Sequence, residues 1–200
     1  MRSDERSGVE IDQGAAARGA EEAGARVRGR PQDSAMVVIR PARESDLDAL
    51  HRVDRLVFGR LAYPYFTLRQ LIDVHSRHCV VADDGARLRG YCLGALTTRP
   101  KTGWVLGLGV LPQSRGAGYG RDLVREAVRR VIADGAREVR LNVDPDNSTA
   151  IHLYETLGFR ITGFRPHHFG PEADRLIMST TRLRGDTPSG TDRLDAWWTV

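Results

Sequence analysis

Residues 112–123 read PQSRGAGYGRDL, three glycines and two arginines set between an apolar run and an amphipathic one. Bare backbone at such a place suits the binding of an anion. Where a strand turns into a helix, the first helical N–H groups lack partners and point, with the positive end of the helix dipole, into the turn. Glycines let phosphate oxygens approach the main chain and permit conformations that side chains forbid. The residue types alone leave an ordinary strand-to-helix turn equally open. Spacing excludes two phosphate loops. G-x-G-x-x-G fails because counting on from Gly116 and Gly118 puts Arg121 where a third glycine is needed, and G-x-x-x-x-G-K-[ST] fails because the only lysine, Lys101, lies in no such sequence. Other reactive side chains are few. His167 and His168 share the loop RPHHFGPE and are candidate proton carriers, though paired loop histidines are more often simply solvated. Glu44 and Asp73 could meet a cation or belong to a solvated face. Cys79 and Cys92 lie in apolar runs without ligand spacing and read as small buried hydrophobes; no metal site is expected.

The elements that must position these residues alternate in type. MVVIRPA (36–42) reads as a strand, and Ser45-Asp46 as the cap of a helix carrying Leu47, Leu50, Val53, Leu56 and Val57. A second helix is expected from near Thr67 to His75. HCVVAD, RGYCLGAL and TGWVLGLGVL are short runs punctuated like antiparallel hairpins. From Tyr119 to Asp134 the period changes, and Leu123, Val124, Ala127, Val128, Val131 and Ile132 form a helical stripe. EVRLNV (138–143) is a strand; Ala150, Leu153, Tyr154 and Leu157 share one helical face that Gly158 should end; strands follow at Phe159–Thr162 and Arg175–Thr180. Hairpins first and helical crossovers later imply a mixed sheet with helices packed on it. With 200 residues, 40% of them hydrophobic, the chain can bury one sizeable core. Residues 1–35 are too poor in apolar side chains to fold alone and read as a flexible extension; 184–200 form a turn-rich tail of undecided role. The formal charge of +4 suits an anionic ligand, but no aromatic-interleaved basic stripe calls for nucleic acid. No apolar run of membrane-spanning length or signal-peptide type occurs, and the cysteine usage fits a reducing cytoplasm.

R-x-x-G-x-G, met by Arg115, Gly118 and Gly120, resembles the cofactor-binding motif of the GNAT superfamily of acyl-CoA N-acyltransferases. DNSTAIHLYETLGF (146–159) resembles that family's second signature, N-x-x-A-x-x-L-Y-x-x-L-G-F, through Asn147, Ala150, Leu153, Tyr154, Leu157, Gly158 and Phe159. The likeness covers residues 36–183 in order of elements, and with HFGPEADRLIM it is most similar to ribosomal-protein alanine N-acetyltransferases. It implies an α/β fold of the α+β type: one domain with a mixed, splayed sheet and helices on both faces. It implies acetyl-CoA as co-substrate, no metal, and a primary amine as acceptor, either a peptide α-amine or a small molecule. By the same resemblance Leu108, Gly109 and Val110 would bind the pantetheine arm. Backbone at Gly116, Ala117, Gly118, Tyr119, Gly120 and Arg121 would hold the pyrophosphate with Arg115 at its edge, and Asn147 would belong to the cofactor site. Read from the residues alone, Gly107 and Gly109 leave a simple weak strand open as well.

Acyl transfer to an amine asks for a polarised thioester carbonyl, a neutral nucleophile and a proton for the departing thiolate. A main-chain N–H in the splayed strand, that of Val110, would meet the first need. The resemblance gives the third to Tyr154 as general acid, although its place on an apolar stripe equally suits a core tyrosine. For the second, the family often has a glutamate where this chain carries Asn142, and Trp104–Leu111 holds no carboxylate. A lysine amine is about 0.1% neutral near pH 7.5, an α-amine about one-third, so the missing base tilts the reading toward an α-amine. With no activating partner for either cysteine, transfer is expected to be direct. The alternatives are an acetyl-CoA sensor without turnover and a nucleotide-binding regulator.

Overall fold

The computed structural model describes residues 36–98 and 101–185; the expected extension at 1–35 and nearly all of the expected tail lie outside the described residues. Among the described residues seven strands form one mixed sheet: β1 (Val38–Pro41), β2 (Val80–Asp83), β3 (Leu88–Leu96), β4 (Thr102–Val110), β5 (Glu138–Val143), β6 (Arg160–Arg165) and β7 (Arg175–Thr180). Their order is β1-β2-β3-β4-β5-β7-β6, antiparallel throughout except between β4 and β5. Four α-helices accompany them, α1 (Leu47–Phe58), α2 (Tyr65–His75), α3 (Tyr119–Ala133) and α4 (Ser148–Leu157). None is long and apolar enough to cross a membrane.

Alternation along the strands separates two cores. Val80, Ala82 and Cys92 face one way, with Val105, Val139, Leu141 and Val143, under Leu123, Val124, Val128 and Val131 of α3 and Tyr154 and Leu157 of α4. Val81, Tyr91 and Leu93 face the other way, under Leu47, Leu50 and Val53 of α1 and Leu68 and Ile72 of α2. Helices therefore cover both faces, as the resemblance implied. Each core buries its stripe at helical spacing, the source of most of the helices' stability.

Some expected details differ. Leu56, read as part of the α1 stripe, is 70% exposed, and the inward seat of that turn belongs to Asp54, which is fully buried. Asp46 does not cap α1 with its side chain; its carboxylate accepts from the Arg43 N–H at 2.7 Å and from the Arg40 guanidinium at 2.6 and 2.8 Å, tying the helix entry to β1. Helix α2 starts at Tyr65, two residues before the expected Thr67, because Pro64 at its N-cap presets the entry. β6 begins at Arg160, since Phe159 is a buried plug whose N–H closes α4 on the Tyr154 carbonyl at 3.0 Å. Gly158 does end α4 in the left-handed region, at φ 100°.

Candidate active site

The one parallel contact in the sheet is short. β4 pairs with β5 from Thr102↔Glu138 to Val105↔Leu141 and no further. Beyond that point β4 stays with β3 as far as Val110↔Gly90, while β5 stays with β7 as far as Val143↔Leu176. The strands thus part after Val105 and Leu141. The β3–β4 register also shifts there: Leu93 pairs with Gly107 and Gly94 with Val105, so Leu106 is the extra residue of a bulge. Backbone direction follows from one hydrogen bond, Leu111 N–H to the Arg89 carbonyl at 2.9 Å. Leu111 faces β3, and by alternation Gly109 does too, whereas the N–H and C=O groups of Leu108 and Val110 face the gap. Of the three residues expected to bind an extended arm, the outer two offer polar backbone to the gap. The middle one serves packing: a Cβ on Gly109 would lie 2.7 Å from Tyr91 Cε1.

The glycine-rich loop stands at the Val110 end of this gap. Gly118 is the N-cap of α3 at φ 88°, with no side-chain cap, and Gly116 sits at φ 80°. Nothing lies within 4 Å of a Cβ at either position, so both are needed for conformation rather than for space. The first α3 bond runs from the Asp122 N–H to the Gly118 carbonyl at 3.2 Å, which leaves the N–H groups of Tyr119, Gly120 and Arg121 ahead of it. Gly120 has Leu153 of α4 at 3.5 Å and Val110 at 3.7 Å from a notional Cβ, which seats the helix mouth over the gap. Gly116, Ala117 and Gly118 are exposed, and Tyr119 packs its ring on the α3–α4 core. Arg115 donates through Nε to the Val110 carbonyl at 3.3 Å, and Arg121 reaches Thr156 Oγ1 at 3.3 Å. Asn147 caps α4, its Oδ1 accepting the Ala150 N–H at 3.0 Å, so its carboxamide nitrogen is the group left to meet a ligand.

Two polar side chains lie on opposite faces of the sheet. Tyr154 belongs to the α3–α4 core, is 6% exposed and meets Phe159 edge to face at 5.8 Å. Burial pushes its hydroxyl well above the ordinary tyrosine range, so the group is a neutral proton donor across physiological pH. Asn142 points the other way, because its neighbours Leu141 and Val143 are buried under α3 and α4. Its Oδ1 is buried without a hydrogen-bond partner. Such an orphan costs about 1–3 kcal/mol unless something else satisfies it.

Sequence reasoning missed a support on the α1–α2 side. The Asp54 carboxylate accepts from the Tyr63 N–H at 2.6 Å and from the Tyr91 hydroxyl, while the Tyr63 hydroxyl donates to the Leu106 carbonyl at 3.0 Å. Together they hold the bulge from outside the sheet. Burial raises both tyrosine hydroxyls, the Asp54 charge adding to it, so both remain donors. The available signal was an acid at i+4 from Leu50 inside an apolar stripe. Other candidates are elsewhere engaged. Glu44 and Asp73 both pair with Arg69, at 2.7 and 3.0 Å, on the surface. His167 and His168 are exposed; the His167 N–H donates to Asp174 at 2.8 Å, and His168 packs on Phe169. Cys79 and Cys92 are buried, and burial pushes the Cys79 thiol up to about 11 and Cys92 higher, so neither is a nucleophile.

Residues 45–159 match the model of the acetyltransferase (GNAT) family. The chain belongs to that family. An N-alpha-acetyltransferase of Sulfurisphaera tokodaii is 30% identical over 152 residues, covering 70% of this chain and 90% of the relative. Among solved structures, the ribosomal-protein-S18-alanine N-acetyltransferase from Escherichia coli has the same fold, with a TM-score of 0.65 at 19% identity over 77% of this chain and 99% of that one. The NatC complex bound to Gag peptide and CoA gives a TM-score of 0.65 at 20% identity, over 72% of this chain and 98% of the matched chain. The GNAT match and the N-alpha-acetyltransferase relative make this an N-acetyltransferase.

Proposed function

We propose that this GNAT enzyme moves the acetyl group of acetyl-CoA directly onto the α-amine of a peptide. The observation that carries the reading is the parting of β4 from β5, with β4 backbone no longer bonded to β5 along one side and the α3 N-terminus at its end. That arrangement fits a ligand with a diphosphate at one end and an amide-bearing arm at the other. Leu108 and Val110 would bond the arm, the N–H groups of the Gly116–Arg121 loop would cradle the diphosphate with Arg115 beside it, and the Asn147 nitrogen would lie at the rim. Bound acetyl-CoA supplies a thioester carbonyl at the parting of the strands. The Leu108 N–H, on the gap side of β4 and nearer the parting than the expected Val110 N–H at the loop end, would stabilise the oxyanion there. The amine forms the new C–N bond as the C–S bond breaks, Tyr154 gives its proton to the thiolate, and the proton lost by the amine passes through water to solvent, which reprotonates Tyr154.

An α-amine is the acceptor favoured by the absence of a carboxylate at Asn142 and by the named activity of the 30%-identical relative. The buried thiols suit a reducing cytoplasm as the place of work. The test is release of free thiol from acetyl-CoA with peptides carrying a free α-amine, set against the same peptides blocked there and bearing a lysine. Turnover on the first group that is lost in Tyr154→Phe supports the reading. Tight acetyl-CoA binding with no turnover on any acceptor contradicts it.

A further inference from the structure

Gly107 and Gly109 of β4 are each covered by a tyrosine ring on the α1–α2 side of the sheet. A Cβ on Gly107 would lie 3.6 Å from Tyr63 Cε2, and one on Gly109 2.7 Å from Tyr91 Cε1. Both tyrosines bind the fully buried Asp54 carboxylate, Tyr91 through its hydroxyl and Tyr63 through its N–H at 2.6 Å. Tyr63 lies in the connection between α1 and α2, so it is tied to α1 at its N–H and, at the far end of its ring, to the Leu106 carbonyl at 3.0 Å. Leu106 is the bulge residue, outside the β3–β4 pairing, and a side chain supplies the donor that its carbonyl needs. Strand direction changes at a bulge, and Gly107, next in the chain, restrains that bend weakly because it has no Cβ. The bend sets where β4 runs beyond it, and the next residue is Leu108, whose N–H faces the gap. We propose that Tyr63 is a positioning residue for acetyl transfer: its hydroxyl fixes the bend at Leu106 and with it the aim of the Leu108 N–H at the developing oxyanion. The inference rests on the acetyltransferase reading and deepens it.

A hydrogen bond weakens steeply as its angle closes, so a differently bent strand loses more toward the transition state, where charge has built up on the oxygen, than toward the bound thioester. The ring and the hydroxyl of Tyr63 have separable parts in this. The ring covers Gly107; the hydroxyl holds the carbonyl. Phenylalanine keeps the first and removes the second. The softness that makes the hold necessary can also be removed. Gly107 is not among the glycines at positive φ, and a Cβ there would meet side-chain atoms at 3.6 to 3.8 Å, which is ordinary contact. Alanine therefore fits at 107, narrows the torsions open to the bend, and stands in for part of the lost hydroxyl.

The test combines steady-state kinetics with acetyl-CoA and a peptide bearing a free α-amine, calorimetry of CoA, and the NMR signal of the Leu108 amide with CoA bound. It uses the full chain as wild type, Tyr63→Phe, Gly107→Ala and the double variant. Losing an oxyanion donor outright costs about 10²–10³ in kcat, and misaiming one should cost Tyr63→Phe about 10-fold, with CoA affinity and the KM for acetyl-CoA within about 2-fold of wild type. The Leu108 signal should move in that variant. Adding Gly107→Ala should restore at least about 3-fold of the lost kcat and return the signal toward its wild-type position. Tyr63→Phe with kcat within about 2-fold of wild type would overturn the inference. So would a CoA affinity that falls as far as kcat does, which marks a general loosening of the fold, or a double variant no better than Tyr63→Phe where Gly107→Ala alone works as wild type does. If wild type turns over no peptide, the acetyltransferase reading fails and the Leu108 signal still decides the positioning: unmoved in Tyr63→Phe, it refutes the hold on the bulge.

Discussion

Gly118→Ala isolates the contribution of one backbone conformation to the site. Gly118 caps α3 at φ 88°, and an added Cβ would meet nothing within 4 Å, so the substitution brings strain and no clash. An L-residue in the left-handed region costs about 1–2 kcal/mol. That cost has two possible destinations. If the alanine is held at positive φ in the free protein, stability falls by about 1–2 kcal/mol and CoA affinity is unchanged, because free and bound states carry equal strain. If the free loop relaxes and α3 loses its mouth, stability is spared and CoA must restore the strained turn, which weakens affinity about 5- to 30-fold. The two losses should sum to about 1–2 kcal/mol. Urea unfolding measures the first and titration of CoA the second. Gly118→Asn should show a smaller sum, since asparagine tolerates this region better. A variant unchanged in both stability and affinity, or one that loses more than about 4 kcal/mol in stability, would refute the reasoning that Gly118 matters only through its φ.

Tyr154→Phe should lower kcat by about 10²- to 10⁴-fold while leaving acetyl-CoA affinity unchanged, measured by steady-state kinetics and calorimetry. Asp54→Ala strands the Tyr91 hydroxyl and the Tyr63 N–H and should destabilise the fold by about 2–4 kcal/mol in urea, with turnover falling as the bulge loosens. At Asp46, burial works to raise the carboxyl, but hydrogen bonds from the Arg40 guanidinium and the Arg43 N–H outweigh it and hold the group below its ordinary value. Its folded-state value being depressed, its contribution is complete above about pH 4 and is lost as pH falls below that; Asp46→Asn should therefore be less stable at pH 7 and show a shallower acid decline. Cys79 and Cys92 should resist a thiol reagent at pH 8 in the native protein and react together once it is unfolded.

Much of this could be read from the chain because the informative residues are close in sequence. The α3 stripe, the turn at Gly116 and Gly118 and the left-handed Gly158 each depend on neighbours within a turn or two, and all are found where spacing put them. β5 and β7 also keep their expected bounds. What escaped depends on register between distant segments. The Leu106 bulge exists only in the pairing of β4 with β3. Asp54, Tyr63 and Tyr91 come from a helix, a loop and a strand, and periodicity scored the α1 stripe without asking what a buried acid inside it would bind. Leu56 was misread for the same reason: hydrophobicity made it a core candidate, while the sheet beneath α1 had room for the smaller, hydrogen-bonded Asp54. Residue type could not tell whether Tyr154 was core or donor. The structure shows it buried in the α3–α4 core with its hydroxyl kept protonated by that burial, and the donor role is what Tyr154→Phe tests.

The most direct measurement is calorimetric titration of the folded protein with CoA, with pantetheine lacking the diphosphate, and with a nicotinamide dinucleotide. Saturable heat with CoA, at least 100-fold weaker binding of pantetheine and none of the dinucleotide is the predicted outcome, since the helix mouth is held to grip the diphosphate and the parted strand the arm. No heat with CoA, together with a clear signal from the dinucleotide, would contradict it.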